Sequence, residues 1–380
     1  MKMRRIFFFH PEMHHAIFLI NSFRKAGLQP LILCPDYVFR LAAGRLHKVD
    51  GSRFPFQGCS LLESSCLLLF NAVLAFFKAL YYLRLLSLNN YYFISDFGAQ
   101  LCLKILRHEL FYSFQDYAKS TSVLARWLNI FIVNENLIST QLFKKDHKKL
   151  CQVSNSLANI VVYPSENLQI SEQPSKETQI QIVNYGGDFD MRGLPLQKSE
   201  FKHNSQRLVC CARAPSYRKG GDNLLQALIE LSISGLVERD SLCVRILGEI
   251  TEPPLLDLLN RCSSIGIIPV THRQYPVREV RTVMASSDFF VMPSRSEGQP
   301  YAALEAINLG LPLVVSRECN LDHFRDGVHG FLLEHLDSAS LTKKMRNILA
   351  NPEQLSYYRS QLASLADIYS WNNYEELVST

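Results

Sequence analysis

Short apolar runs alternate along this chain with longer stretches of helical periodicity, and polar residues, prolines or glycines close the runs. Arg5–Phe9 predicts a buried strand, followed by a helix over 14–26 that stops at Gly27. Leu31–Cys34 predicts a second strand, ended by Pro35. Leu67–Leu86 predicts a long apolar helix carrying Lys78 and Arg84. Tyr91–Ile94, running into Asp96, and Phe111–Phe114, ended by Gln115 and Asp116, predict strands from their aromatic content. Strands alternating with helices imply a parallel sheet with right-handed crossovers.

The pattern then restarts. Ile160–Tyr163 and Ile180–Val183 predict strands on either side of a polar loop over 171–178. Arg207–Ala212 predicts the strand that opens the second half, followed by a basic turn and a helix over 221–232. Further strands are predicted at Leu242–Leu247, Ile267–Ile268, Asp288–Met292 and Leu313–Val315, with a helix over 300–309. The fold class read from this is α/β, with two doubly wound lobes joined near residues 185–205.

Composition narrows the picture. With 380 residues, 20% charged and 11% aromatic, the chain can form two domains with full cores and does not read as disordered. The ten cysteines include no C-x-x-C pair and no zinc spacing, so they read as reduced core residues of a cytoplasmic protein. The apolar run near the start is cut short by His10 and Pro11, too short for a signal peptide. The apolar stretch Ser64–Phe77 is 14 residues without a charge, short of the roughly 20 a spanning helix needs. Phe76, Phe77, Tyr81 and Tyr82 recur at helical spacing and read as core, with a membrane-contacting face as the alternative.

Charge is uneven. The first 150 residues hold 19 Lys/Arg and 9 Asp/Glu, and the remainder is slightly acidic. A basic lobe attracts an anionic membrane leaflet or a nucleic acid. Its basic residues are dispersed and form no nucleic-acid-binding motif, so nucleic acid is not the expected partner; they read as ordinary solvated Lys and Arg, with peripheral contact at the inner membrane face as the alternative.

The segment with most chemistry is Pro293–Ala306. It reads as a strand end, a loop and a helix start, the place where parallel α/β sheets bind ligands. Gly298 permits close backbone approach, Pro300 suits a first helical turn, and the free amides of that turn favour phosphate. Glu297 precedes the helix and Glu305 lies inside it, both able to reach hydroxyl groups. Arg213 and Lys219, six residues apart on a strand-to-helix turn, can clamp a diphosphate.

These residues carry a resemblance to the family 4 retaining glycosyltransferases of the GT-B fold (glycosyl transferases group 1). It rests on Arg213, Lys219-Gly220, the Asp288 to Ser294 run, Glu297 and Glu305 with Ala306 after it. It continues through Gly310, Pro312 and Val314, then Asp326, Gly327, Gly330, Phe331 and Leu332. It covers residues 160–380 well and 1–159 mainly in architecture. The resemblance implies two Rossmann-like lobes facing across a cleft. An acceptor-side domain would span 1–185, completed by a C-terminal helix at about 366–380 that begins near Tyr369 and Trp371. A donor-binding domain would span 200–365.

The resemblance also implies roles. Arg213 and Lys219 neutralise the diphosphate of a nucleotide sugar. Glu297 binds and orients the donor sugar, and Glu305 binds the ribose. The amides around Gly298, Gln299 and Tyr301 line the phosphates and sugar. Sugar transfer would proceed with retained configuration and no metal or other cofactor, to a glycan or lipid-linked acceptor in surface polysaccharide or lipopolysaccharide assembly.

The first lobe departs from the family. Its first loop, His10–His15, lacks the usual Gly-Gly pair, and Gln115 stands where many members have a donor-side His. His14 and His15 read as surface or helix-cap residues. These departures suit a non-catalytic partner that keeps the fold. A GT-B nucleotide-sugar 2-epimerase fits less well, because those enzymes lack the Arg/Lys and Glu-x7-Glu frame. Asp188-Phe-Asp190 spells a metal-binding pattern, but its place after Asn184–Gly187 reads as the interdomain joint.

Overall fold

The computed structural model describes residues 5–9, 23, 29–33, 61–83, 85, 88–105, 110–114, 119–128, 130–135, 152–153, 155–172, 178–187, 208–213, 215–235, 242–264, 270–272 and 277–374. The chain divides into two compact units, one of residues 1–183 with 374–380, the other of residues 184–373.

The first unit holds a six-stranded sheet in the order β2-β1-β3-β4-β5-β6. Its strands are β1 (Arg5–Phe9), β2 (Gln29–Leu33), β3 (Leu110–Phe114), β4 (Phe131–Glu135), β5 (Ile160–Tyr163) and β6 (Gln179–Ile182). All adjacent pairs run parallel. A parallel sheet covered on both faces demands near-continuous apolar strands, and Val161, Val162 and Tyr163 are all buried.

Its described helices are α1 (Leu61–Tyr82), α2 (Leu88–Ile105), α3 (Lys119–Trp127) and α4 (Glu166–Glu172). Helix α1 buries Leu67, Asn71 and Leu74 at helical spacing, while Leu69, Val73 and Phe76 lie exposed. Phe76 is 61% exposed, so the aromatic run expected in the core begins outside it. None of the described helices is long and apolar enough to cross a membrane.

Tyr91–Ile94, expected as a strand, lies inside α2. Its aromatic residues favour strands locally, but Ser95, Asp96, Ala99 and Cys102 are buried at helical spacing, and packing of that face decides the outcome. Asp96 then anchors the next helix. Its carboxylate accepts from the Thr121 amide at 3.0 Å and the Thr121 hydroxyl at 2.6 Å. Strand β4, which the hydrophobic pattern did not single out, takes the place in the sheet between β3 and β5. The helix expected over 14–26, the loop His10–His15, Gln115 and the Asp188–Asp190 pair lie largely or wholly outside the described residues.

The second unit holds another all-parallel six-stranded sheet, in the order β12-β11-β10-β7-β8-β9. Its strands are β7 (Leu208–Ala212), β8 (Leu242–Leu247), β9 (Val270–His272), β10 (Phe289–Met292), β11 (Leu313–Ser316) and β12 (Gly330–Leu333). Counted from β7, this is the 3-2-1-4-5-6 order of dinucleotide-binding folds, whose switch point lies where the order reverses. Here that is between β7 and β10, which pair from Cys210 with Phe289 to Ala212 with Val291. The short strand expected at 267–268 falls outside the described residues, and the described strand is β9.

The helices of this unit are α5 (Gly221–Ile233), α6 (Pro253–Ser264), α7 (Val277–Ala285), α8 (Tyr301–Asn308), α9 (Ser338–Ala350) and α10 (Gln354–Ile368). Leu224, Leu228 and Leu231 of α5, Leu341 and Met345 of α9, and Val291 and Val314 of the sheet share one buried core. Glu230 ties α5 to α9, accepting from the Ser338 and Thr342 hydroxyls at 2.7 Å each. Cys210, Cys262 and Cys319 are buried here, and Cys102 is buried in the first unit.

Candidate active site

The two strands at the switch point end in the two segments singled out by the sequence. Strand β7 runs into Arg213 and the turn 215–220, and β10 runs into the loop 293–300. Gly220 makes their close approach feasible. It adopts φ 73°, and a Cβ there would lie 2.0 Å from the Pro293 carbonyl oxygen. The backbones are then stitched together. The Arg213 amide donates to the Val291 carbonyl at 3.1 Å, and the Arg295 amide to the Arg218 carbonyl at 2.8 Å.

Arg295 completes the stitching with its side chain. Its guanidinium forks onto the Asp222 carboxylate at 2.6 and 2.7 Å and donates to the Tyr217 carbonyl at 2.6 Å. It also lies 3.9 Å from the centre of the Tyr217 ring. The Tyr217 amide donates to Glu252 at 3.0 Å. None of these contacts was foreseen, because each needs the turn and the loop to be neighbours first.

Within this frame Glu297 is 4% exposed. Its Oε1 accepts from the Lys219 ammonium and, at 3.2 Å, from Arg218 Nη1. The same Arg218 nitrogen donates to the Ser296 carbonyl at 2.7 Å, and the Asn320 amide holds the Glu297 carbonyl at 2.7 Å. Burial pulls the Lys219 ammonium below its usual pKa, opposed by the Glu297 charge. Cys319 lies close by, its thiol pushed up to about 12 by burial and by the Glu297 charge.

Arg213 and Glu305 form a second group. The Arg213 guanidinium donates to the Leu247 carbonyl at 2.7 Å. It passes over Gly248, which has φ 115° and where a Cβ would lie 2.9 Å from Arg213 Nη1. Glu305, on α8, has its carboxyl raised to about 7 by burial, against the charges of Arg281 and Arg213. Arg281 belongs to α7, a short helix whose role the sequence did not signal.

Gln299 and Tyr301 form a third group with the start of the unit. The Gln299 carbonyl accepts from the Tyr185 amide at 2.6 Å, and its amide donates to Asn184 Oδ1 at 2.8 Å. The Gln299 side chain is therefore committed within the protein. The Tyr301 ring stacks on Tyr185 at 5.2 Å and on Trp371 at 6.0 Å. Gly298, between these groups, is buried. Trp371 follows α10, which ends at Ile368. Among the described residues no group of His, Cys, Asp or Glu could hold a metal ion.

The arrangement can bind an anion. Two cations, Arg213 and Lys219, stand at the end of β7 and in the turn that follows it, and Arg218 sits next to Lys219 on the same turn. A buried carboxylate among cations, poised next to a helix start, also offers a fixed acceptor to a hydroxylated ligand.

Residues 205–351 match the family model of the glycosyl transferases group 1. That segment is a glycosyl transferases group 1 domain. Sulfoquinovosyl transferase SQD2 of Arabidopsis thaliana is 31% identical to the chain over 97 residues, 24% of this chain and 19% of that protein. The matched stretch is thus about a fifth of that relative. HepE of Anabaena, solved with UDP and glucose, superimposes with a TM-score of 0.68 at 14% identity, covering 99% of this chain and 98% of that one. Sucrose-phosphate synthase of Thermosynechococcus elongatus gives 0.68 at 12% identity, covering 99% and 97%. At these identities the likeness is one of fold, the α/β GT-B fold of two Rossmann-like units. Arg213, Lys219, Glu297 and Glu305 all lie inside the group 1 domain.

Proposed function

We propose that the protein is a glycosyltransferase of family 4 that moves a hexose-type sugar from a nucleotide-sugar donor with retention of configuration. The observation that carries this reading is the buried Glu297 carboxylate, met by Lys219 at the switch point of a group 1 domain. The Arg213, Lys219 and Glu305 positions support a nucleoside diphosphate beside it. UDP is the first nucleotide to test, since HepE was solved with it.

In this reading the bond between the anomeric carbon and the diphosphate oxygen breaks, and the diphosphate leaves with the bonding electrons. Lys219 and Arg213 neutralise the growing charge, helped by the amides at the start of α8. Glu297 holds the sugar hydroxyls so that the anomeric carbon faces the incoming acceptor oxygen. That oxygen attacks from the face the diphosphate leaves and passes its proton to the departing phosphate. Glu305 binds the ribose. The cations supply the charge compensation a metal supplies in other transferases, so addition of a chelator is expected to leave activity intact.

The acceptor in this reading is a glycan or lipid-linked sugar, in surface polysaccharide or lipopolysaccharide assembly at the inner membrane face. The excess of basic residues over 1–150 and the exposed Leu69, Val73 and Phe76 of α1 support such contact.

A thermal-shift panel of UDP, GDP, ADP and their sugars, with Lys219→Ala as control, tests the donor site. A ligand that binds only the native state raises the melting temperature. A shift with one nucleotide family, lost in the variant, is the expected result. No shift with any of them overturns the donor-site reading and favours a non-catalytic partner.

A further inference from the structure

Arg218 has no task in the proposed donor site, yet it shares a carboxylate oxygen with Lys219. Here the Arg295 amide fixes the Arg218 carbonyl, and Arg218 Nη1 is held by the Ser296 carbonyl at 2.7 Å, next to Glu297 itself. Arg218 is thus tied to the very loop that carries the carboxylate. Lys219 reaches the same oxygen from the turn, on a flexible stem that can swing to another anion.

That difference matters once a diphosphate arrives. A phosphate group would draw the Lys219 ammonium away from Glu297. The Glu297 side chain is only 6% exposed, and a carboxylate so buried cannot lose every cation and stay charged at little cost. The charged and titratable groups facing it are few among the described residues. They are Lys219 and Arg218 from the turn, and Cys319 from the 3-10 turn Arg317–Cys319, whose thiol stays neutral. The Asn320 side-chain amide meets Glu297 at its backbone carbonyl, not at its carboxylate.

We propose that Arg218 is a positioning residue that holds the Glu297 carboxylate in place when Lys219 turns to the donor diphosphate. This rests on the nucleotide-sugar reading of the site. Donor binding then exchanges one anion for another on Lys219, from Glu297 to the diphosphate. Arg218 stays where it is and retains the carboxylate. Its own side chain is 44% exposed, so it acts through its anchor on Ser296 rather than through deep burial.

Calorimetric titration of UDP, set beside steady-state turnover of the donor, separates the roles. For Arg218→Gln, UDP affinity is expected to stay within about threefold, because the phosphate cations remain. Turnover of the donor is expected to fall on the order of tenfold or more with its KM little changed, since the carboxylate that orients the sugar loses its anchor. Arg218→Lys restores turnover, and supplies the comparison if the Gln variant unfolds.

An unchanged turnover in Arg218→Gln overturns the proposal. So does a loss of UDP affinity as large as that of Lys219→Ala, which makes Arg218 a phosphate contact. If UDP, GDP and ADP all fail to bind wild type, the nucleotide-sugar reading falls and this role falls with it.

Discussion

Lys219 and Glu297, 78 residues apart, meet as an ion pair at the ends of the neighbouring strands β7 and β10. The contact follows from topology. The sheet reverses its order between these strands, so the segments leaving them splay apart and open a crevice above the sheet. The positive φ of Gly220 and the forked Arg295–Asp222 pair bring the two segments close enough for the side chains to touch. Each residue thereby holds its partner's charge in a site shielded from water.

Removing either partner separates binding from turnover in the proposed reaction. Lys219→Ala is expected to weaken nucleoside diphosphate binding by about 1.5–3 kcal/mol, the size of a lost charge-assisted contact. Glu297→Gln is expected mainly to lower turnover, because the phosphates do not contact it. Measuring UDP affinity and donor turnover on both variants checks the division. Equal affinity and equal turnover in both would refute it.

Gly220→Ala tests the scaffold. The native φ of 73° disfavours any side chain, and the new methyl would press on the Pro293 carbonyl. The expected loss is about 1–3 kcal/mol of stability, with weaker nucleotide binding because the turn carrying Lys219 shifts. Urea unfolding of the two proteins reads the first effect and calorimetry the second. Gly235→Ala is the control, since it shares the positive φ but has nothing within 4 Å of the added methyl. Gly220→Ala should therefore cost more than Gly235→Ala.

Much of this site was legible because its residues must stand at fixed intervals from strand ends. Arg213, Lys219, Glu297 and Glu305 could be singled out from their spacing to β7 and α8. Arg218 could not, since nothing in two adjacent cations tells which direction each will point. That direction is set by Arg295 and by Ser296, the latter 78 residues away in sequence. The doubly wound order was legible in the second unit, where apolar runs are short and cleanly closed. It was less legible in the first. There Tyr91–Ile94 looks like a strand by composition, and only the buried face of Ser95, Asp96, Ala99 and Cys102 makes it a helix. Gln299 has a task that spacing does not show: its side chain holds Asn184 and Tyr185, at the far end of the second unit's chain.

Nucleotide binding is expected to depend on pH through Glu305, the ribose-binding residue of the proposed donor site. Its carboxyl is raised to about 7, so it gains a proton as pH falls through that value. A charged carboxylate accepts ribose hydroxyls better than a neutral one. Affinity for UDP is therefore expected to decline as pH falls from about 8 to 6. Glu305→Gln should bind more weakly at pH 8 and show a flatter profile. Titrations across this range decide it. The same slope in wild type and variant assigns the pH dependence to other groups.

His329 gives folding stability an opposite dependence to that of Glu305. The His329 ring is buried, and its Nδ1 accepts from the Arg325 amide at 3.0 Å. Burial and the Arg325 charge lower its pKa below 6.5. As pH falls below 6.5 the unfolded chain takes up this proton before the native protein does. The His329 contribution is therefore present above pH 6.5 and lost as pH falls toward its native pKa. Glu305, raised in the native state, stabilises in the other direction, gaining as pH falls from about 7 to 4.5. Wild type alone would blend the two. Comparing His329→Asn with wild type in urea at pH 7.5 and 5.5 isolates the histidine, since an Asn carbonyl can still accept from Arg325 and does not titrate. The stability gap between the two proteins is expected to shrink, or reverse in favour of Asn, at the lower pH. A gap that stays constant would mean that His329 holds the same proton count in both states across this range.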